Sequence, residues 1–275
     1  MCIAAFLLAT SSTGVVSAQE SDSSKNYHPF LSNTFNIGLG VYRPSLKRKI
    51  EADAGSNIGG SLEENDTQST GILSFRWRYS KNWSFWGSHW QTDHENQTLL
   101  TEDFDLGDDN GTVFLKGSTI GSGIDVSITR LFFGRSFFRR PSTDWGVGVG
   151  LHWLDMKLFV EGDIKTSPQV DPPLKDRVDY SGAVPLPNLG IWYTYSWSPK
   201  WVVNTRLDWL DITIDEFSGS LFDASVGVNY QMSKHFGIGL AVNAFRLDVK
   251  VDSPKIRGGI EMDQVGPRLN ITWNW

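Results

Sequence analysis

Apolar and polar residues alternate with a period of two through most of the chain beyond residue 33. At the carboxyl end Val265, Pro267, Leu269, Ile271, Trp273 and Trp275 oppose Gly266, Arg268, Asn270, Thr272 and Asn274. Such alternation predicts a strand with one apolar and one polar face. The same rhythm sets Trp145, Val147, Val149, Leu151 and Trp153 against Gly146, Gly148, Gly150 and His152. It also sets Trp201, Val203, Thr205, Leu207 and Trp209 against Val202, Asn204, Arg206 and Asp208. Phe222, Ala224, Val226, Val228 and Tyr230 oppose Asp223, Ser225, Gly227 and Asn229, and Leu73, Phe75, Trp77 and Tyr79 oppose Ser74, Arg76 and Arg78. The pattern predicts ten strands, near 34–48, 70–80, 83–94, 120–138, 145–160, 184–197, 201–211, 220–232, 236–250 and 264–275. Short polar turns at 81–82, 139–144, 198–200 and 233–235 join them on one side, and long polar connections at 49–69, 95–119, 161–183, 212–219 and 252–263 on the other. An even number of strands places both termini on the side of the short turns.

Aromatic residues bracket every short turn: Tyr79 and Trp83, Phe138 and Trp145, Trp197 and Trp201, Tyr230 and Phe236. Rings at both ends of apolar strand faces are what a membrane interface requires, because Trp and Tyr bury a ring while keeping a polar handle wet. Trp145 and Trp153, like Trp201 and Trp209, are spaced so that a tilted strand carries the second ring roughly 20 Å above the first, close to the ~25 Å apolar band of a membrane barrel. Together with the terminal strand, these features resemble the outer-membrane β-barrels of Gram-negative bacteria. The resemblance implies an all-β, closed, antiparallel up-and-down transmembrane barrel of about ten strands, eight to twelve being compatible with the length. It further implies periplasmic short turns and extracellular loops, contact with outer-membrane lipid and lipopolysaccharide, and a monomer. Leu269, Ile271, Trp273 and Trp275 would be the closing signal read by the barrel assembly machinery. A secreted soluble β-barrel is the competing reading, but it leaves the bracketed turns and the terminal strand unexplained.

Residues 1–18 read as a signal peptide, with a short apolar run from Ile3 to Leu8 and the small-residue sequence Val16-Ser17-Ala18 before Gln19, although no Lys or Arg follows Met1. Residues 19–33 read as a polar periplasmic leader, and 34–275 as the barrel. Cys2 is the single cysteine, so the mature chain has neither a disulfide framework nor thiolate chemistry. A formal net charge of −6 argues against a nucleic-acid partner. The mean hydropathy of −0.26 is that of a soluble protein, but alternating strands average to neutral and escape that test.

With polar parity inward, the lumen holds Arg76, Arg78, Arg206, Arg268, Asp208 and Asp223, with Asp125 or Arg130. Glycines at 38, 40, 146, 148, 150, 237 and 239 leave room for the arginines and for Trp192. This predicts a charged, wet, largely filled tube with a structural role. A narrow solute channel of weak anion preference is the alternative. Two strands resist assignment. Ile124, Val126 and Ile128 set an outward parity that drives Arg130 into lipid, which a β-bulge near Thr129 would repair. In the third strand Trp83 and Phe85 oppose Trp86 and Trp90.

A rim enzyme, protease or lipid A modifying, is a further alternative. Asp93-His94 and the pair His152 with Asp155 offer a His beside carboxylates, the elements of a general base. Neither sits in a recognisable omptin or lipid A deacylase motif. The acidic run 102–111 breaks the spacing of a Ca²⁺ loop and reads as a tight hairpin at Asp109-Asn110-Gly111. No metal, no cofactor and no enzymatic activity is therefore expected, and the reading is a surface or envelope-integrity protein.

Overall fold

The computed structural model describes residues 28–53, 59–101, 103–105, 113–163, 175–252 and 257–275. The signal peptide expected at 1–18 and the turn at Asp109-Asn110-Gly111 lie outside them. Among the described residues one short helix, α1 (Pro29–Ser32), precedes fourteen strands. These are β1 (Phe35–Tyr42), β2 (Ser45–Asp53), β3 (Gly59–Thr67), β4 (Thr70–Trp77), β5 (Trp83–Leu99), β6 (Phe104–Asp105), β7 (Val113–Phe114) and β8 (Thr119–Arg140), then β9 (Thr143–Asp163), β10 (Lys175–Ser198), β11 (Trp201–Ile214), β12 (Phe217–Gln231), β13 (Phe236–Asp252) and β14 (Arg257–Asn274).

All but β6 and β7 belong to one antiparallel sheet. In it β1 and β2 are two halves of one stave, interrupted at Arg43-Pro44, and β3 and β4 are halves of the next, so the barrel has ten staves. Pro44 has no N–H to give the ladder, which accounts for the first interruption. Closure comes from β1 on β14, with Asn36 opposite Asn274 and Tyr42 opposite Arg268, and the seam continues as β2 on β14. Because every remaining stave pairs with its neighbours in sequence, short turns suffice to connect them.

Parity holds along whole staves, but the polarity of the two faces inverts part of the way up. In the half nearer the turns, outward residues are apolar and bare: Leu39, Leu240 and Ile271 are 65%, 61% and 58% exposed. Inward residues there are mostly Gly, Asn, Ser, Thr, Arg and Asp, with Trp86, Phe132 and Trp192 among them. Nearer the loops, the inward residues become apolar. Tyr42, Leu46, Ile72, Trp90, Val126, Ile128, Leu154, Leu186, Leu221, Phe245, Leu247 and Met262 form one buried cluster inside the barrel. The outward residues at that level are charged or polar, among them Lys47, Asp93, Lys157, Arg246 and Lys250. The lower half thus has the pattern of a strand between lipid and a wet lumen, and the upper half that of a small soluble barrel.

This inversion corrects the expectation for the fourth predicted strand. Val126 and Ile128 point inward, 0% and 2% exposed, on the same face as Arg130. There is no bulge near Thr129, since the pairing of β8 with β5 runs unbroken from Trp83↔Arg135 to Leu99↔Thr119. The irregularity falls beside the turn, between Ser136 and Phe138. Asp125 takes the outward parity. In β5 the odd residues face out, and Trp86 and Trp90 face in, where Trp90 meets Tyr42 at 5.9 Å and Phe245 at 6.1 Å between ring centres.

The staves are also longer than expected. Much of the predicted loops at 49–69, 95–119, 161–183 and 252–263 continues as paired strand. Hydrophilic strands above a membrane satisfy their backbone by the same ladder as those within it, so polarity alone does not mark a loop. The small sheet of β6 and β7 flanks the hairpin expected at 109–111.

Aromatic side chains form a belt near the turn end. Ring contacts run from Phe236 to Trp273, Trp275, Phe35, Trp77, Tyr79, Phe133 and Trp83, crossing the closing seam. Trp197, Trp201 and Tyr230 form a second arc, and Phe137 stacks on Trp145. Trp153 and Trp209 stand at the upper edge of the apolar exterior, 43% and 55% exposed.

Candidate functional site

The lumen is built in layers. At the turn end, α1 and its flanks close the mouth, so the last residues of the expected leader are part of the fold. His28 and Leu31 are 1% and 4% exposed. His28 caps the helix, its Nδ1 accepting from Phe30 N at 3.1 Å. Three arginines hold the segment by its carbonyl oxygens: Arg76 donates to Phe30, and Arg78 and Arg139 to Leu31. Arg78 also pairs with Asp144 at 3.0 Å. The end of this short helix carries its free carbonyls, and arginine is the donor best shaped to take several at once.

Burial first, and the charge of Arg76 second, push the His28 imidazole down from its ordinary 6.5 to about 4. A folded-state value below the unfolded one means that the neutral ring's contribution is complete above pH 6.5 and is lost as the pH falls towards 4. We expect amide exchange of 30–33, corrected for intrinsic rate, to accelerate through that window. His28→Asn, which can cap without titrating, should flatten the response. Parallel loss of protection in both proteins would show that another group drives it.

Above the plug lies a polar chamber of about 90 Å³, lined by side chains that include Phe30, Asn36, Arg76, Trp86, Arg206 and Arg268. Glycines make the room, as expected. A Cβ on Gly146 would lie 2.5 Å from the Trp192 ring, which is 3% exposed. At Gly190 it would strike the Asp208 carboxylate and lie 2.6 Å from Phe132.

Next comes a charged layer. Asp208, fully buried, receives Arg130 through two bonds, from Nε to Oδ2 and from Nη2 to Oδ1 at 2.9 Å. Arg206 donates from Nη2 to Asp223 Oδ2 at 2.5 Å, and its Nε stands 3.5 Å from Asp208. His152 Nε2 lies 3.1 Å from Asp223 Oδ2, and its Nδ1 3.0 Å from Asn188 Oδ1. The apolar cluster then covers this layer on the loop side.

The predicted lumen charges Arg76, Arg78, Arg206, Asp208, Asp223 and Arg268 all face inward. Arg130 joins them, and Asp144, which sequence reasoning missed, anchors the mouth. Its position in a short polar turn gave no sign of burial, although its even parity within β9 did. Donor atoms of His152, Asp208 and Asp223 lie within 4.8 Å of one another. Both carboxylates already carry arginines, so the trio has the character of an ion-pair network and fits a dication poorly.

The candidates for rim catalysis are not brought together. His152 is 1% exposed, beneath the apolar cluster, and Asp155 takes the opposite face of β9. Asp93 is exposed and accepts from Gln68 Nε2 at 3.3 Å, with Asp125 as its cross-strand partner. The side chain of His94 lies outside the described residues.

No protein-family model matches the chain, and no curated protein matches it significantly. Among solved structures it is similar to the outer membrane protease OmpT of Escherichia coli at 10% identity, with 87% of this chain and 97% of that chain covered and a TM-score of 0.55. The toluene transporter TodX of Pseudomonas putida matches at 10% identity over 92% of each chain, with a TM-score of 0.35. Ail, the attachment invasion locus protein of Yersinia pestis, matches at 13% identity over 85% of this chain and 97% of that one, with a TM-score of 0.29. At 10% identity the likeness to OmpT is one of fold. The chain has the closed, antiparallel, ten-stave architecture of the bacterial outer-membrane β-barrels.

Proposed function

We propose that the protein is a monomeric, non-conducting barrel of the Gram-negative outer membrane, exported by a cleaved signal peptide and serving at the surface or in envelope integrity. The observation that supports this is the packing at the two ends of the lumen. An apolar cluster whose members Val126, Leu154, Leu221 and Leu247 are at most 1% exposed lies across the tube above the charged layer, and α1 blocks the other end. Ions do not cross a dry apolar plug, because desolvation costs far more than any lumenal charge returns. The same closure weighs against the narrow anion channel and leaves the outward face and loop end as the working surfaces. Lipid and lipopolysaccharide are the contacts suited to the apolar band and its charged upper margin, and the barrel assembly machinery is the partner suited to the aromatic closing strand.

Single-channel recording of the refolded protein tests the reading. We expect a silent bilayer at all voltages the membrane tolerates. Steady conductance, of either selectivity, would overturn the closed lumen.

A further inference from the structure

The arginines and aspartates of the lumen do not balance. Three pairs account for Arg78 with Asp144, Arg130 with Asp208, and Arg206 with Asp223. Among the described residues this leaves Arg76 and Arg268, with Arg139 at the mouth, without a carboxylate at ion-pair distance. Arg76 is 2% exposed. One of its nitrogens donates to the Phe30 carbonyl, its guanidinium lies 4.0 Å from the Phe30 ring centre, and Nε and Nη1 have no partner. Arg268 makes no hydrogen bond or ion pair with a described residue, and its Nε is buried and unpartnered. A buried guanidinium with no carboxylate in direct contact is costly for a fold to carry.

Both arginines line the polar chamber, Arg76 from the mouth end and Arg268 from the end that meets the charged layer. Asp223, which lines the small cavity shared with Arg268, already holds Arg206 and His152, and the polar groups on the chamber side of Arg268 are neutral donors. Asn270 stands two residues along the same face, Asn204 lies in the same cross-strand row beyond Ala241 and Gly227, and the Arg206 Nε is another buried donor without a hydrogen bond. A chamber of about 90 Å³ holds a tetrahedral oxyanion with a few waters, given that one water needs ~10–15 Å³ on this measure. We propose that the chamber is an anion site, in which a small inorganic oxyanion of the phosphate or sulfate class sits on Arg268, with the Asn270 amide and Arg206 as further donors and Arg76 adding positive field from the mouth. Guanidinium groups and amides in a low-dielectric cavity are the donors such an anion binds most strongly.

The test uses the refolded full barrel and inorganic phosphate, with sulfate as second probe, against chloride at matched ionic strength. In wild type, the unfolding midpoint on a heat-modifiability gel should rise saturably with phosphate or sulfate, by roughly 5 to 10 °C at about a hundredfold excess over the dissociation constant. Phosphate should also be retained at about one equivalent through gel filtration, read by phosphorus NMR. Arg268→Met should abolish both effects. Because that variant could fail to fold, Asn270→Asp provides a second arm. It places a carboxylate beside the guanidinium, so it should fold, be at least as stable in chloride, and lose the response to phosphate. A wild-type midpoint indifferent to both oxyanions, with no phosphate retained, would mean that the chamber holds water alone and would overturn the proposal. So would an undiminished phosphate response in Asn270→Asp. Neither result bears on conductance, so this inference and the closed-barrel reading fail separately.

Discussion

Asp208→Asn should be the most damaging single change in the lumen, lowering stability by about 3–5 kcal/mol because Arg130 is left charged and buried without its partner. The side chains of the pair are 3% and 0% exposed, and two hydrogen bonds join them. Arg206, with its Nε 3.5 Å from Asp208, would lose attraction as well. The loss should appear as a lowered midpoint on a heat-modifiability gel. Its origin can be isolated with the double variant Arg130→Met, Asp208→Leu, since replacing a buried pair by apolar groups is often neutral. We expect the double variant to recover most of the loss. A double variant as unstable as Asp208→Asn would show that shape, and not the stranded charge, decides the outcome.

Deleting Trp275 should impair folding and assembly far more than Trp275→Phe. Trp275 exchanges two backbone bonds with Phe35, its N–H reaching Phe35 O at 3.0 Å and its carbonyl accepting from Phe35 N at 2.9 Å. Its ring lies 5.1 Å from Phe35 and 4.9 Å from Trp273, in the middle of the aromatic belt where it crosses the seam. With each bond and each ring pair worth ~0.5–1.5 kcal/mol, deletion costs on the order of 2–6 kcal/mol at the one pairing that closes the barrel. Phenylalanine keeps the ladder and most of the ring contact. The yield of heat-modifiable protein in the outer-membrane fraction measures the difference. Equal yields from the deletion and the Phe variant would remove both the seam role and the proposed assembly role of this residue.

Much of the barrel was legible in the sequence because side chains alternate strictly across a strand. Parity placed Trp145 to Trp153 and Trp201 to Trp209 outside, and Arg76, Arg206, Asp208 and Asp223 inside, and aromatic brackets located the turns. Where the reading failed, at Val126, Ile128 and Arg130, the parity was correct and the assumption about solvent was wrong. Apolar parity marks the lipid side only within the membrane; above the lipid level the apolar face turns to the lumen and the polar face to water. The predicted loops failed for the same reason, since strands in water carry polar outer faces and look like loops.

Partnership is the other thing alternation does not carry. Asp208 stands two residues from Arg206 in sequence, but its principal partner is Arg130, 78 residues away on β8. His28 to Asn33, too short to show a periodic pattern, becomes a plug because Arg76, Arg78 and Arg139 meet its carbonyl oxygens at the mouth. The sequence by itself determined which residues share a face, how many staves there are and where they turn, because a period of two is a local property of the chain. Only the tertiary structure decided what each face meets, which charges pair and which are left over, because those follow from closing the sheet and bringing distant staves across one narrow lumen.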